Sequence, residues 1–317
     1  MGGSGPTGCS TPDIRSTVLR RPAQHGTIRA VAKDTGSITA VCSWFEASAR
    51  DLPWRGASPW GVLVSEFMLQ QTPVARVEPQ WRAWMQRWPE AADLAGEPAG
   101  EAVRAWGRLG YPRRALRLHA AAVAITENHG GVVPSDEQQL RDLPGVGEYT
   151  AAAVRAFAFD LPSVVLDVNV RRVLARAWSG VAEPPGHLTA VERALAEGLA
   201  HSAADPAQWA AASMELGAVV CTKREPDCQS CPLLTDCAWQ NAGAPEGAVP
   251  TRRQPRYEGS DRQARGRIMA ALRDADEPLP RRSVLAEVSD EEQAARALSS
   301  LIADGLVVQD ATGLRLP

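Results

Sequence analysis

The stretch LRDLPGVGEYTAAAVRAFAFDLPSVVLDVN, residues 140–169, decides how the rest of the chain is read. Leu143-Pro144-Gly145-Val146-Gly147 sets two glycines around a valine just before an alanine-rich helix, expected over 149–159. The pattern predicts a hairpin whose backbone N–H groups face outward at a helix start. Such a helix N-terminus attracts an anion, and glycine, lacking a side chain, lets a phosphate come close. Asp160-Leu161-Pro162 then turns the chain, and the apolar run Val164-Val165-Leu166 delivers one carboxylate, Asp167, with Asn169 two residues on. An acid emerging from an apolar run, beyond a phosphate-gripping hairpin, points to chemistry beside a nucleic-acid backbone. Taken alone, the hairpin also reads as a tight turn between helices.

With 317 residues, 44 % hydrophobic and 22 % charged, the chain has the composition of a soluble globular protein of about two domains. No apolar run approaches the roughly 20 residues that a bilayer crossing needs. Residues 1–34 lack the apolar core of a secretory signal, and residues 1–37 are expected to be a disordered extension. A monomer in the cytoplasm, nucleoid-associated in a bacterium, without membrane contact, is the expectation. The net charge of −3 gives no overall basic excess, but arginines cluster at 104, 108, 113, 114 and 117, and again at 171, 172 and 176. Clusters of this kind hold phosphates or form solvated helix faces.

Periodicity predicts helices over 38–50, 60–71, 76–88, 101–106, 113–128, 170–178, 190–201 and 209–219, with tryptophans packing the core and no strand before the tail. The fold class is therefore all-α. Residues 38–241 form the main domain, residues 242–258 an Ala/Gly/Pro-rich linker, and residues 259–317 a three-helix pattern with a terminal hairpin. That tail looks like a winged helix, a fold that often binds DNA; a small helical cap without a ligand is the other reading.

The helix over 60–71 is apolar nearly all round, and its lone acid is Glu66. Burial raises the pKa of such a carboxyl and leaves it able to donate a proton near neutrality. A buried glutamate neutralised by an arginine is the plainer alternative. Four of the six cysteines, Cys221, Cys228, Cys231 and Cys237, run C-x₆-C-x₂-C-x₅-C. Four thiolates so close can surround a tetranuclear iron–sulfur cluster; structural zinc or two disulfides are the alternatives, the latter disfavoured because nothing marks the chain as secreted.

LPGVGEYTA with LDVNVRRVLAR resembles the helix-hairpin-helix/GPD superfamily of DNA glycosylases. SEFMLQQT, residues 65–72, and the cysteine spacing are similar to the MutY-type adenine DNA glycosylases within it. The resemblance covers residues 38–240 and implies a two-lobed helical fold with a [4Fe–4S] cluster in the loop 221–237. It implies double-stranded DNA with an A·8-oxoG or A·G mispair as partner, and removal of the flipped-out adenine. It assigns Glu66 as general acid on the purine, Asp167 as the carboxylate facing the oxocarbenium ion, and Asn169 and Tyr149 as their supports. This is the two-carboxylate logic of glycoside hydrolysis, applied to a base that must leave the duplex stack. Trp54, Arg55 and Leu69 fall at the adenine pocket, Gln70 and Gln71 in the emptied stack, and Tyr111 beside the opposing purine. Leu143, Gly145, Val146 and Gly147 fall at a phosphate, as do Lys223 and Arg224 of the cluster loop. Two positions depart from the family: Pro112, where members often carry a second tyrosine, and Ala211, where many carry a polar residue. The Nudix-like domain that ends many members has no counterpart in the tail.

Competing readings are an endonuclease III-like or mismatch thymine glycosylase, and a non-catalytic binder of DNA lesions. Retention of both Glu66 and Asp167 argues against the binder. A lyase needs an uncharged amine as nucleophile. The chain has two lysines, Lys33 and Lys223, and carries Tyr149 at the hairpin position where a lyase has lysine; arginine cannot serve because its guanidinium stays protonated. Incubation with an abasic or mispaired duplex and borohydride should therefore yield no permanent crosslink, and strands should break only after alkali. Efficient trapping that one lysine substitution abolishes would overturn this.

Overall fold

The computed structural model describes residues 1–3, 35–247 and 256–317. Most of the expected N-terminal extension, Cys9 included, and part of the expected linker lie outside the described residues. Residues 35–37, read as part of that extension, instead form the first turn of helix α1, Thr35–Ser48. Ser37 and Ile38 are buried against the body of the protein, which explains the earlier start.

Two helical lobes follow. The first begins with α2, Pro59–Leu69, capped by the Ser58 side chain on Gly61 N, with proline in its first turn. It continues through α3 (Val74–Arg87), the short α4 (Ala91–Ala95), α5 (Ala99–Trp106) and α6 (Arg113–His129). The short α7, Glu137–Asp142, leads into the hairpin and α8, Glu148–Phe159. The second lobe joins α1 to α9 (Val168–Ala177), α10 (Ala190–Ser202) and α11 (Pro206–Val219), then the cysteine loop and α12 (Ala238–Asn241). Its helices start on side-chain caps: Asp167 for α9, a Thr189/Glu192 capping box for α10, and Asp205 before Pro206 for α11.

Tryptophans build the floor of the first lobe. Trp54 meets Trp81 edge-on, and Trp84 meets both Trp88 and Trp106 the same way. Three of the indole N–H groups reach backbone, Trp81 to Gly61 O at 2.8 Å, Trp84 to Ala105 O at 2.9 Å and Trp106 to Gly110 O at 2.9 Å, while that of Trp88 is buried without a partner. Truncating a buried ring of this kind costs about 3–5 kcal/mol, so this layer holds α2, α3 and α5 in fixed relation.

The helix α8 joins the lobes. It packs on α2 from the first and α11 from the second, through small residues: Ala152, Ala153 and Ala156 meet Val165, Ala207 and Ala210. Alanine lets the helix axes come close.

The tail has three helices, α13 (Asp261–Asp274), α14 (Arg281–Leu285) and α15 (Glu291–Ala303), and an antiparallel pair, β1 (Val308–Gln309) and β2 (Leu314–Arg315). Leu279, between α13 and α14, bridges to Leu314 and makes a third edge. This is the order and pairing of a winged helix. Its buried residues, among them Ile268, Leu272, Leu298 and Leu301, belong to the same apolar cluster as Trp84 and Trp106.

Candidate active site between the lobes

Residues Trp60 through Met68 of α2 are buried without a break, and Glu66 is the acid among them, 6 % exposed. Burial pushes its carboxyl up to about 7; the Tyr149 hydroxyl, donating to it, works against the rise, and the nearby charge of Asp167 adds to it. Tyr149 stands in the first turn of α8, and burial followed by the two carboxylates pushes its phenol far above its ordinary value. It therefore remains a neutral donor.

Asp167 caps α9. Its carboxylate accepts from Asn169 N at 2.9 Å, Val170 N at 2.7 Å and the Asn169 amide at 2.7 Å. Burial raises its pKa, opposed by those hydrogen bonds and by the charge of Arg172. Arg172, 7 % exposed, donates to Asn169 Oδ1 at 2.9 Å, Gly217 O at 2.6 Å and Cys221 O at 2.7 Å. One buried guanidinium thus ties the Asp167–Asn169 pair to the first cysteine of the loop. Gly217 is obligatory here, because a Cβ would lie 2.6 Å from Asn169 O.

Of the hairpin residues read as phosphate contacts, Leu143 and Val146 have buried side chains and act as anchors. Gly145 is left-handed at φ 82°, and a Cβ there would meet Arg117 Cβ at 2.8 Å and Phe67 Cε1 at 3.0 Å. The hairpin is therefore seated directly on the acid-bearing helix. At Gly147, which caps α8, a Cβ would meet nothing within 4 Å, so the start of the helix is uncovered there.

Helix α2 ends at Leu69, two residues before the apolar pattern over 60–71 does. Gln71 is left-handed at φ 57° and exposed. Tyr111, exposed on the loop 107–112, is left-handed too, at φ 48°. Both belong to a conformation that costs an ordinary residue about 1 kcal/mol or more. Arg114 holds them. It donates to Phe67 O at 2.8 Å, Met68 O at 3.1 Å, Thr72 Oγ1 at 3.0 Å and Gly110 O at 3.1 Å, and also to Gln70 O. Its guanidinium lies 5.2 Å from the Trp106 ring centroid and 5.5 Å from that of Tyr111.

Arg114, Arg172 and Arg176 are all buried, so the reading of the two arginine clusters as phosphate-binding faces is corrected for these three. They close backbone instead of meeting solvent. Sequence reasoning also missed Glu215 of α11, 3 % exposed, which binds Arg50 at 2.7 Å and Arg55 at 2.9 Å. Signals existed for both roles. Arg114 shares the apolar face of α6 with Leu118, Ala121 and Ile125, and Glu215 is a lone acid on a helix buried on most sides.

Comparison with known proteins accords with this geometry. Residues 64–199 match the HhH-GPD superfamily of base excision DNA repair proteins. The adenine DNA glycosylase of Mycolicibacterium smegmatis is 50 % identical over 276 residues, 86 % of this chain and 93 % of that protein. The chain belongs to the adenine DNA glycosylases. The human adenine DNA glycosylase is 40 % identical over 222 residues, 66 % of this chain and 40 % of the human one. Among solved structures, a thermostable thymine-DNA glycosylase superposes with a TM-score of 0.57 at 26 % identity, covering 65 % of this chain and 95 % of its own. An endonuclease III trapped covalently on DNA shares the fold, with a TM-score of 0.56 at 22 % identity, over 66 % of this chain and 95 % of its own.

In this adenine glycosylase Trp54 is buried beside Trp81, Leu69 is half-buried at the end of α2, and Arg55 lies 4.8 Å over the Phe45 ring while bound to Glu215. Cys221, Cys228, Cys231 and Cys237 line one pocket with Arg176, Trp239 and Gln240. None of the four is in a disulfide. Arg176 donates to Cys221 Sγ at 3.5 Å and Gln240 to Cys228 Sγ at 2.9 Å. Lys223 and Arg224 are exposed on the loop, which Arg176 closes through Thr222 O at 2.7 Å and Lys223 O at 3.2 Å. Among the described residues no helix is long and apolar enough to cross a membrane.

The raised pKa of Glu66 has a cost to stability. With a folded value of about 7 against 4.5 in solution, the folded state binds the extra proton between those values. Stability is complete below the solution value and is lost as pH rises through the folded one. Glu66→Gln should therefore be more stable than the parent above neutrality, by up to about 3 kcal/mol. The difference should shrink as pH falls through 7 and vanish near 4.5. Urea denaturation at a series of pH values checks this; a pH-independent difference would mean that the carboxyl is not protonated in the folded protein.

Proposed function

We propose that this glycosylase hydrolyses the N-glycosidic bond of adenine mispaired with 8-oxoguanine or guanine in double-stranded DNA, as a monomeric and monofunctional enzyme. The observation that carries the reading is Glu66, a buried carboxyl on the apolar helix α2 whose pKa burial raises to about 7, hydrogen-bonded by Tyr149 and close enough to Asp167 to feel its charge.

Glu66 donates its proton to N7 of the flipped adenine, which lets the C1′–N9 electron pair leave with the base. Asp167, presented by its cap geometry and held by Asn169, faces the positive charge that develops on the sugar. Water then adds at C1′ and gives its proton to the Glu66 carboxylate, restoring the acid. Tyr149, a neutral donor to Glu66, keeps the two carboxyls apart and oriented. Gln70 and Gln71 fill the space left in the stack and Tyr111 stands beside the opposing base, while the hairpin at Gly147 and the cations Lys223 and Arg224 hold phosphates.

We assign the four cysteines Cys221, Cys228, Cys231 and Cys237 as the residues that would hold a [4Fe–4S] cluster. They are soft donors lining one pocket, with Arg176 donating to Cys221 Sγ and Gln240 to Cys228 Sγ, as suits sulfurs that bind a cluster. The cluster would fix the loop 221–237 and, through Cys221 O and Arg172, the position of Asn169.

Single-turnover assays on duplexes with A·8-oxoG, A·G, T·G and thymine glycol test the reading. Adenine should be released from the first two, and Glu66→Gln and Asp167→Asn should each lose about 10²-fold or more in rate while binding the mispair. Release of thymine, or an active Glu66→Gln, would refute it. Purified protein should be brown with about four irons per chain; stoichiometric zinc from an anaerobic preparation would remove the cluster from the proposal.

A further inference from the structure

The loop 107–112, which carries Tyr111, has no regular secondary structure of its own, so its position depends on what holds α5 and α6 at its two ends. Part of the hold is internal to the lobe: Trp106 and Arg114 both donate to Gly110 O, and Thr72 Oγ1 donates to Leu109 O at 3.3 Å. The rest comes from the C-terminal module. On the α5 side Arg273 donates to Val103 O at 3.1 Å, Arg104 donates to Ala275 O at 3.1 Å, and Gly100 N donates to Pro317 O at 2.5 Å. On the α6 side Arg113, two residues after Tyr111, pairs with Asp304 at 3.2 Å, and Arg265 fixes the other oxygen of Asp304 at 2.6 Å. Apolar packing runs under these contacts, since both sides belong to one core cluster.

The same module is poorly built for reading DNA. Its third helix, α15, is the one a winged helix lays in the major groove, and it opens with Asp290, Glu291 and Glu292. Arg296 on its outer face lies 3.8 Å from Asp261 and from Glu292. From Arg256 onward eleven carboxylates outnumber nine arginines, whereas groove binding demands cations against phosphates.

We infer that the C-terminal module is a brace for the Tyr111 loop, and that it sharpens discrimination of the base opposite the adenine without contacting DNA. Asp304 is its principal positioning residue. The inference rests on the mispair reading above for its enzymatic consequence, and on contacts within the free protein for its physical content.

Asp304→Ala in the full chain tests it in two ways. Asp304 is half-buried at the edge of the module, so the variant should keep the fold. Hydrogen–deuterium exchange of the free protein should rise at least threefold in peptides spanning 107–112, with α8 and α11 unchanged. Single-turnover adenine excision should then lose at least threefold of the ratio between A·8-oxoG and A·C duplexes. Unchanged exchange over 107–112 overturns the brace whatever the substrate proves to be. Raised exchange with an intact opposite-base ratio overturns the role in discrimination. If the parent protein shows no opposite-base preference, the mispair reading fails while the exchange result still decides the brace. The double variant Arg281→Gln/Arg282→Gln, exposed on α14, should leave affinity for undamaged duplex and its salt dependence unaltered. A flatter salt dependence would make the module a DNA reader and overturn the inference.

Discussion

A carboxyl kept away from water is the constraint on which the rest of the molecule depends. Glu66 can hold a proton near neutrality because α2 is enclosed on every side, by the tryptophan layer beneath it, by the hairpin seated on Phe67 and by α8. Enclosure of that kind is unfavourable for an ionisable group and must be offset by packing elsewhere. The edge-on tryptophans, with the indole N–H groups of Trp81, Trp84 and Trp106 bonded to backbone, supply it. Chemistry and stability therefore pull against each other at one residue, and the large apolar first lobe is what makes the compromise possible.

The second carboxylate is handled differently. Asp167 is not enclosed by apolar side chains alone; it terminates a helix, and its oxygens are occupied by backbone N–H groups and by Asn169. Burial pushes both carboxyls upward, but at Asp167 the cap hydrogen bonds and the charge of Arg172 oppose the rise, whereas at Glu66 the Tyr149 hydroxyl alone does. Tyr149, in the first turn of α8, feels the charge of both carboxyls, and α8 is held against α11 by its alanine contacts.

Much of this was legible in the sequence. The hairpin, the lone acid on an apolar helix and the cysteine spacing are local patterns, and each has a local physical meaning. The all-α class and most helix positions follow from periodicity. What periodicity could not give was the destination of the arginines. Arg114, Arg172 and Arg176 read as surface charge because their clusters look basic, yet each is drawn inside to satisfy carbonyls at a helix end or loop. Their partners lie as far along the chain as Gly217 and Cys221 from Arg172, and only the tertiary fold brings them together. The end of α2 was misjudged for the same reason: nothing local to Gln71 announces a left-handed residue, and the group that stabilises it sits on α6. Glu215 was hidden by its distance from Arg50 and Arg55.

Arg114 carries one more implication. A single planar guanidinium grips the turn behind Gln71 and the turn behind Tyr111, and both tips already occupy an uncommon backbone conformation before any duplex is present. The two tips therefore behave as the jaws of a caliper with a set aperture. On the proposed reading, in which both tips enter the duplex, their insertion requires unstacking the DNA but little ordering of the protein.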